Sequence, residues 1–127
     1  MSVPLPVLVA LGGALGAVAR FVCGGAITRA VATSFPYGTL TVNVVGSLAI
    51  GVILGVAEGR GGLSDAWRAF AITGVLGGFT TFSAFSAETL GLLQRAHYGI
   101  AAVNVVLSVA LGLGAVVLGF ALGRALT

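Results

Sequence analysis

Apolar residues fill four long stretches of the chain, and polar residues gather in the short intervals between them. The stretches cover about 3–31, 38–57, 66–93 and 99–123. Each reaches the roughly 20 residues that an α-helix needs to cross a bilayer. The pattern therefore predicts an all-α integral membrane protein, one transmembrane domain over 1–127 with four spanning helices. Pro36 breaks the first interval, and Tyr37 suits a membrane interface. The second interval reads R-G-G-L-S-D from Arg60, with Ser64 or Asp65 as the cap of the helix that follows. Trp67 and Arg68 then serve as interface anchors, and Gln94–Tyr98 makes the last turn. Ala30-Val31-Ala32 looks like a leader cleavage site, but the stretch before it lacks a basic start and is too long for a leader.

Inside each stretch the small and polar residues keep helical spacing. Gly12, Gly16, Arg20, Gly24 and Thr28 recur at four-residue intervals, which puts one arginine on a stripe of small residues. That stripe turns Arg20 toward protein rather than lipid, and an arginine at such a position is a functional candidate. Asn43, Ser47, Gly51 and Gly55 form a second stripe, and Asn104, Ser108 and Gly112 a third. V-N-V-V-G-S-L-A-I-G from Val42 is echoed by V-N-V-V-L-S-V-A-L-G from Val103, although ten residues of biased composition do not establish a duplication. Taken alone, Asn43 reads as interhelical glue.

The third stretch carries no charge from Ala69 to Ala87, and its centre reads G-G-F-T-T-F-S-A-F-S. Gly77 and Gly78 together invite a break in the helix. Freed backbone groups are tolerated at membrane depth only when buried in protein or lining a polar cavity. After the break, Thr80, Ser83 and Ser86 read as a hydroxyl row, with Phe82 and Phe85 as a second pair on one side and Phe79 off it. Hydroxyls, aromatic edges and broken backbone at mid-membrane are suited to line an ion path. Glu88, late in this stretch, reads as a solvated carboxylate near the membrane exit.

Composition narrows the classes further. The chain is 58% hydrophobic and 7% charged, with mean hydropathy +1.17, more apolar surface than a soluble domain of this size can bury. Six arginines face three acids, for a net charge of +3, and they are scattered, which argues against a nucleic-acid partner. His97 stands alone and makes no metal site, and Cys23 reads as a small apolar filler. No nucleophile–base set, paired acids or phosphate loop appears, so an enzyme is not expected. With both termini on one side, that side holds Arg60, Arg68 and Arg124, and the other holds Arg29 and Arg95. So slight a bias is a poor orientation signal, and it allows insertion both ways, with opposite copies pairing.

Three segments, G-G-A-L-G-A-V-A-R from Gly12, G-T-L-T-V-N-V-V-G-S from Gly38 and G-G-F-T-T-F-S-A-F-S from Gly77, resemble the signatures of the Fluc/CrcB fluoride channels. The likeness runs through all four stretches in order, and the third segment is its most specific part. It implies a passive fluoride channel of the bacterial-type cytoplasmic membrane, surrounded by lipid, that relieves fluoride toxicity. It also implies a dual-topology, antiparallel homodimer with two pathways. The resemblance assigns ring edges facing the ions to Phe82 and Phe85, a pore-facing amide to Asn43 and a vestibule arginine to Arg20. Thr81, Ser83 and Ser108 would border the track. A structural sodium ion at the dimer interface would be held by main-chain carbonyls of Gly77 and Thr80. Asn104 stands where the family often has tyrosine, and Gly112 where it sometimes has serine.

A different class, the small multidrug-type proton-coupled cation transporters, also has four short spans and dual topology. Those depend on a carboxylate in the first span, where this chain has Arg20 and no acid. A purely scaffolding subunit would not need the hydroxyls and phenylalanines of the third stretch.

Overall fold

The computed structural model describes residues 2–127. Four helices in it are long and apolar enough to cross a membrane: α1 Leu5–Val31, α2 Tyr37–Gly59, α3 Asp65–Gln94 and α4 Tyr98–Ala125. The chain is a multi-pass membrane protein. Many of its large apolar side chains face outward, as a bilayer solvent allows; Phe21 is 82% exposed and Val117 69%.

The helices are held by close backbone approach more than by large side chains. α2 and α4 form the most extensive pair. A Cβ added to Gly51 or Gly55 would overlap the carbonyl of Val116 or Phe120, and one on Gly119 or Gly123 would overlap that of Leu48 or Val52. In lipid, where burial of apolar surface gives helices no reason to associate, such van der Waals contact is the main attraction available. α1 uses Gly12 and Gly16 in the same way, against the carbonyls of Phe70 and Val75 in α3.

α3 is not uniform. Ser64 caps it, its Oγ accepting from Trp67 N–H at 3.3 Å. One α-turn, Asp65–Trp67, leads into a π-helical stretch, Arg68–Leu76, and then a second short turn, Gly77–Phe79. Thr80 (φ −88°, ψ 158°) and Thr81 (φ −154°, ψ 116°) are extended, and helix resumes at Phe82–Gln94. Gly77 itself is helical (φ −64°, ψ −37°), so the change of conformation falls at the threonines and not at the paired glycines where the sequence invited it. Gly78 serves proximity instead: a Cβ there would lie 2.6 Å from Gly13 O and 3.1 Å from Ala17 N on α1. The expected hydroxyl row of Thr80, Ser83 and Ser86 is dispersed for the same reason, because Thr80 precedes the helix that carries the two serines.

α3 ends in a Schellman turn. Ala96 takes the left-handed conformation (φ 58°), while His97 N–H donates to Leu92 O at 2.8 Å and Ala96 N–H to Leu93 O at 3.0 Å.

Candidate functional site

Two extended residues in a helix displace several hydrogen bonds, and side chains of α1 and α2 take their place. In an uninterrupted helix Thr81 N–H would donate to the Gly77 carbonyl. It donates instead to Asn43 Oδ1 at 2.7 Å, while Asn43 Nδ2 donates to Thr81 O at 3.0 Å. One amide thus satisfies both backbone groups of one residue. Ala84 N–H, which would serve the Thr80 carbonyl, donates to Thr81 Oγ1 at 3.1 Å, making Thr81 the cap of the resumed helix. Arg20 Nε donates to Gly78 O at 3.1 Å. Thr80 Oγ1 bonds back to Leu76 O at 2.9 Å, and its methyl fills the space left by the missing side chain of Gly46.

Two cavities flank this point. One, of about 260 Å³, is lined by Arg20, Thr28, Arg29, Thr39, Thr81 and Glu88, among others. The second, of about 270 Å³, is lined by Asn43, Ser47, Thr81, Phe82, Phe85 and Ser108, with Thr80, Ile50, Val109 and Gly112 completing its wall. Thr81 is common to both. The rings of Phe82 and Phe85 are 5.5 Å apart and tilted by 46°, so neither lies flat over the other. Phe82 is 79% exposed and Phe85 half-buried.

The sequence candidates therefore sort into groups. Asn43, Thr81, Phe82, Phe85 and Ser108 share the second cavity, with the hydroxyl of Thr80 turned back into its own helix. Arg20 lines the first. Ser83 meets the site through Thr81, their hydroxyls 3.2 Å apart. Gly77 is exposed on the outer side of α3. The carbonyls of Gly77 and Thr80 are among those whose helical donors are diverted, Thr81 N–H to Asn43 and Ala84 N–H to Thr81 Oγ1.

Several contacts escaped the sequence reading. Thr39 Oγ1 donates to Glu88 Oε1 at 2.7 Å, and Glu88 Oε2 is buried with no hydrogen-bond partner among the described residues. Glu88 is thus half-buried on the first cavity, whereas the sequence suggested a solvated carboxylate. The signal for Thr39 was available: it stands four residues before Asn43 and extends that stripe. Asn104, 1% exposed, donates to Thr89 Oγ1 at 3.0 Å and accepts from Ser108 Oγ at 3.3 Å. Thr89 in turn donates to Phe85 O at 2.8 Å, so this chain of donors ties the fourth helix to the phenylalanine segment.

Comparison with known proteins gives this geometry a family. Residues 7–120 match the profile described as CrcB-like protein, Camphor Resistance (CrcB). The chain belongs to the CrcB-like family. Among its curated relatives, "Fluoride-specific ion channel FluC 2" of Nitrobacter hamburgensis is 46% identical over 94% of this chain and 97% of its own length. "Fluoride-specific ion channel FluC" of Methylobacillus flagellatus is 48% identical over 91% of each chain. The protein of the same name from Opitutus terrae is 52% identical over 87% of this chain and 86% of its own. The family match spans all three segments that first suggested it, from Gly12 through Ser86.

Proposed function

We propose that this protein is a subunit of a fluoride-selective channel that lets fluoride leave the cell passively. The observation that carries the reading is the second cavity, where an amide, hydroxyls and two phenylalanine rings meet beside interrupted backbone. Fluoride is small and strongly hydrated, so a dry path must replace water with short hydrogen bonds. Ser47, Thr81 and Ser108 are the hydroxyls nearest to hand. A phenylalanine presents a positive edge to an anion, and two rings tilted against each other suit a passing ion better than stacked faces. The anion enters past Arg20, crosses beside Thr81, which lines both cavities, and continues along Phe82, Phe85 and Ser108. Arg20 offsets part of the desolvation of the ion. The interruption of α3 at Thr80–Thr81 lies at mid-membrane in this reading, where only a cavity-lining or protein-buried backbone is tolerated. Asn43 supports the path by holding Thr81 in place, with Ser83 bordering it through Thr81.

The working unit is an antiparallel homodimer of dual topology in the cytoplasmic membrane. Phe82, largely exposed on the single subunit although it lines the second cavity with polar residues, supports a second protein surface there. The nearly even arginine distribution supports opposite orientations. Gly77 and Thr80 carbonyls hold a structural sodium ion at the interface. Sodium supplies a fixed positive charge without adding a donor to the path. An inside-negative potential favours anion exit by about 2.3 kcal/mol per 100 mV, so neither ATP nor a proton gradient is required.

Purified protein in liposomes tests this directly. Fluoride should leave rapidly when potassium current is supplied by an ionophore, and chloride hardly at all. Equal chloride flux, or flux that requires a proton gradient, refutes the reading.

A further inference from the structure

The first cavity holds a second arginine that neither the family signatures nor the hydrogen bonds of the α3 interruption explain. Arg29 is in the last turn of α1 and lines the same cavity as Arg20. Its side chain lies back along the helix toward Gly25: a Cβ there would be 3.2 Å from Arg29 Nη1 and 3.9 Å from Cζ. Glycine at that position leaves room for the guanidinium to fold onto the helix. Arg29 has no carboxylate within salt-bridge distance among the described residues. The one carboxylate on the cavity, Glu88, is engaged by Thr39. Two guanidinium groups therefore face one carboxylate across about 260 Å³.

We propose that Arg29, seated on Gly25, is an anion-capture residue at the outer end of the Arg20 cavity. It sets how fast the channel gathers fluoride from dilute solution without contacting the ion in the narrow part of the path. The proposal rests on the channel reading above. A charge-lined cleft with low-dielectric walls focuses its field and raises the local concentration of the opposite ion. Arg20, by contrast, is tied through Nε to the Gly78 carbonyl and stays with the α3 interruption. The two arginines divide the work: one collects, the other receives. A purely structural Arg29, interacting only with the last carbonyls of α1, would affect helix stability and not the salt dependence of flux.

Fluoride efflux from liposomes at low and high ionic strength separates these roles. The variants are Arg29→Gln, Arg29→Lys and Gly25→Leu, with an impermeant organic sulfonate as the added salt. A unit charge about 7 Å away in water changes local anion concentration roughly threefold. Arg29→Gln should thus lose about threefold in initial rate at ~10 mM salt and almost nothing at ~1 M, where the Debye length falls to about 3 Å. Arg29→Lys should keep most of the low-salt rate. Gly25→Leu, which keeps the charge but displaces the guanidinium from its seat, should fall between wild type and Arg29→Gln. An Arg29→Gln rate equal to wild type at ~10 mM salt overturns the proposal, as does a loss that is the same at every salt concentration. If wild type itself passes no fluoride, the channel reading fails and takes this proposal with it. Intact wild-type flux with an Arg29→Gln rate that equals wild type at ~10 mM salt, or falls short of it by the same factor at every salt concentration, removes this proposal alone.

Discussion

Replacing Asn43 by leucine strips Thr81 of both its backbone partners while changing side-chain volume little. Its amide receives one hydrogen bond at 2.7 Å and gives one at 3.0 Å, both to the main chain of a residue only 9% exposed. A buried polar group left without a partner costs about 1–3 kcal/mol, so two such groups predict a loss of about 2–6 kcal/mol. An ordinary interhelical side-chain hydrogen bond in a membrane protein averages only ~0.6 kcal/mol. The two descriptions of Asn43, backbone substitute and interhelical glue, therefore differ by several-fold, enough to measure. Reversible unfolding of the purified protein in mixed detergent micelles, followed by Trp67 fluorescence, supplies the number. Asn43→Asp keeps an acceptor for Thr81 N–H but sets a second oxygen against Thr81 O, so it should not recover wild-type stability. A loss below about 1 kcal/mol for Asn43→Leu would refute the idea that this amide replaces the missing helical bonds. Fluoride flux per folded protein should fall in parallel, since Thr81 is the residue both cavities share.

Three other perturbations probe different parts. Phe82→Ile and Phe85→Ile should each reduce fluoride flux steeply with the protein still folded, since near-isovolumetric apolar swaps usually cost under ~1.5 kcal/mol; wild-type flux in both would demote the pair to packing. Phe79→Ile, whose ring instead abuts Gly46, should conduct normally in the same assay. Gly16→Ala should destabilise the fold by about 1–3 kcal/mol, because the new methyl meets the Val75 carbonyl and backbone must shift, and an unchanged unfolding midpoint would contradict that contact. Lysines added at one end to lock orientation should leave each locked form unable to protect fluoride-stressed cells and the opposite pair able to, whereas full protection by one form would rule out the antiparallel dimer.

What could be read from the residues followed the straightness of the helices. The stripe of Asn43, Ser47, Gly51 and Gly55 was legible because α2 is regular over Tyr37–Gly59, and four-residue spacing maps onto one face. In α3 the same counting misled. Its π-helical stretch changes the number of residues per turn, and its two extended threonines break the row that Thr80, Ser83 and Ser86 would have made. Paired glycines signal either a pliable backbone or a close neighbour, and only the position of α1 decides that Gly78 is the second. The extended threonines depend on Asn43, 38 residues away in sequence, so no local pattern announces them. Glu88 was misjudged for a related reason: the hydroxyl that engages it, Thr39, belongs to another helix.

The seam between α2 and α4 has a consequence for the stiffness of the subunit. Packed helices usually slide by letting many interlocked side chains adjust their torsions a little. Where Gly51 and Gly55 meet the main chain of α4, and Gly119 and Gly123 that of α2, no torsions are available to take up such a slide. Freezing these contacts costs no rotamer entropy on assembly, and moving them means lifting backbone off backbone. This pair of helices is a rigid plate. A change in the proposed pathway would fall to side chains set against this pair, such as Thr81, Phe82 and Phe85, rather than to a slide of α2 past α4.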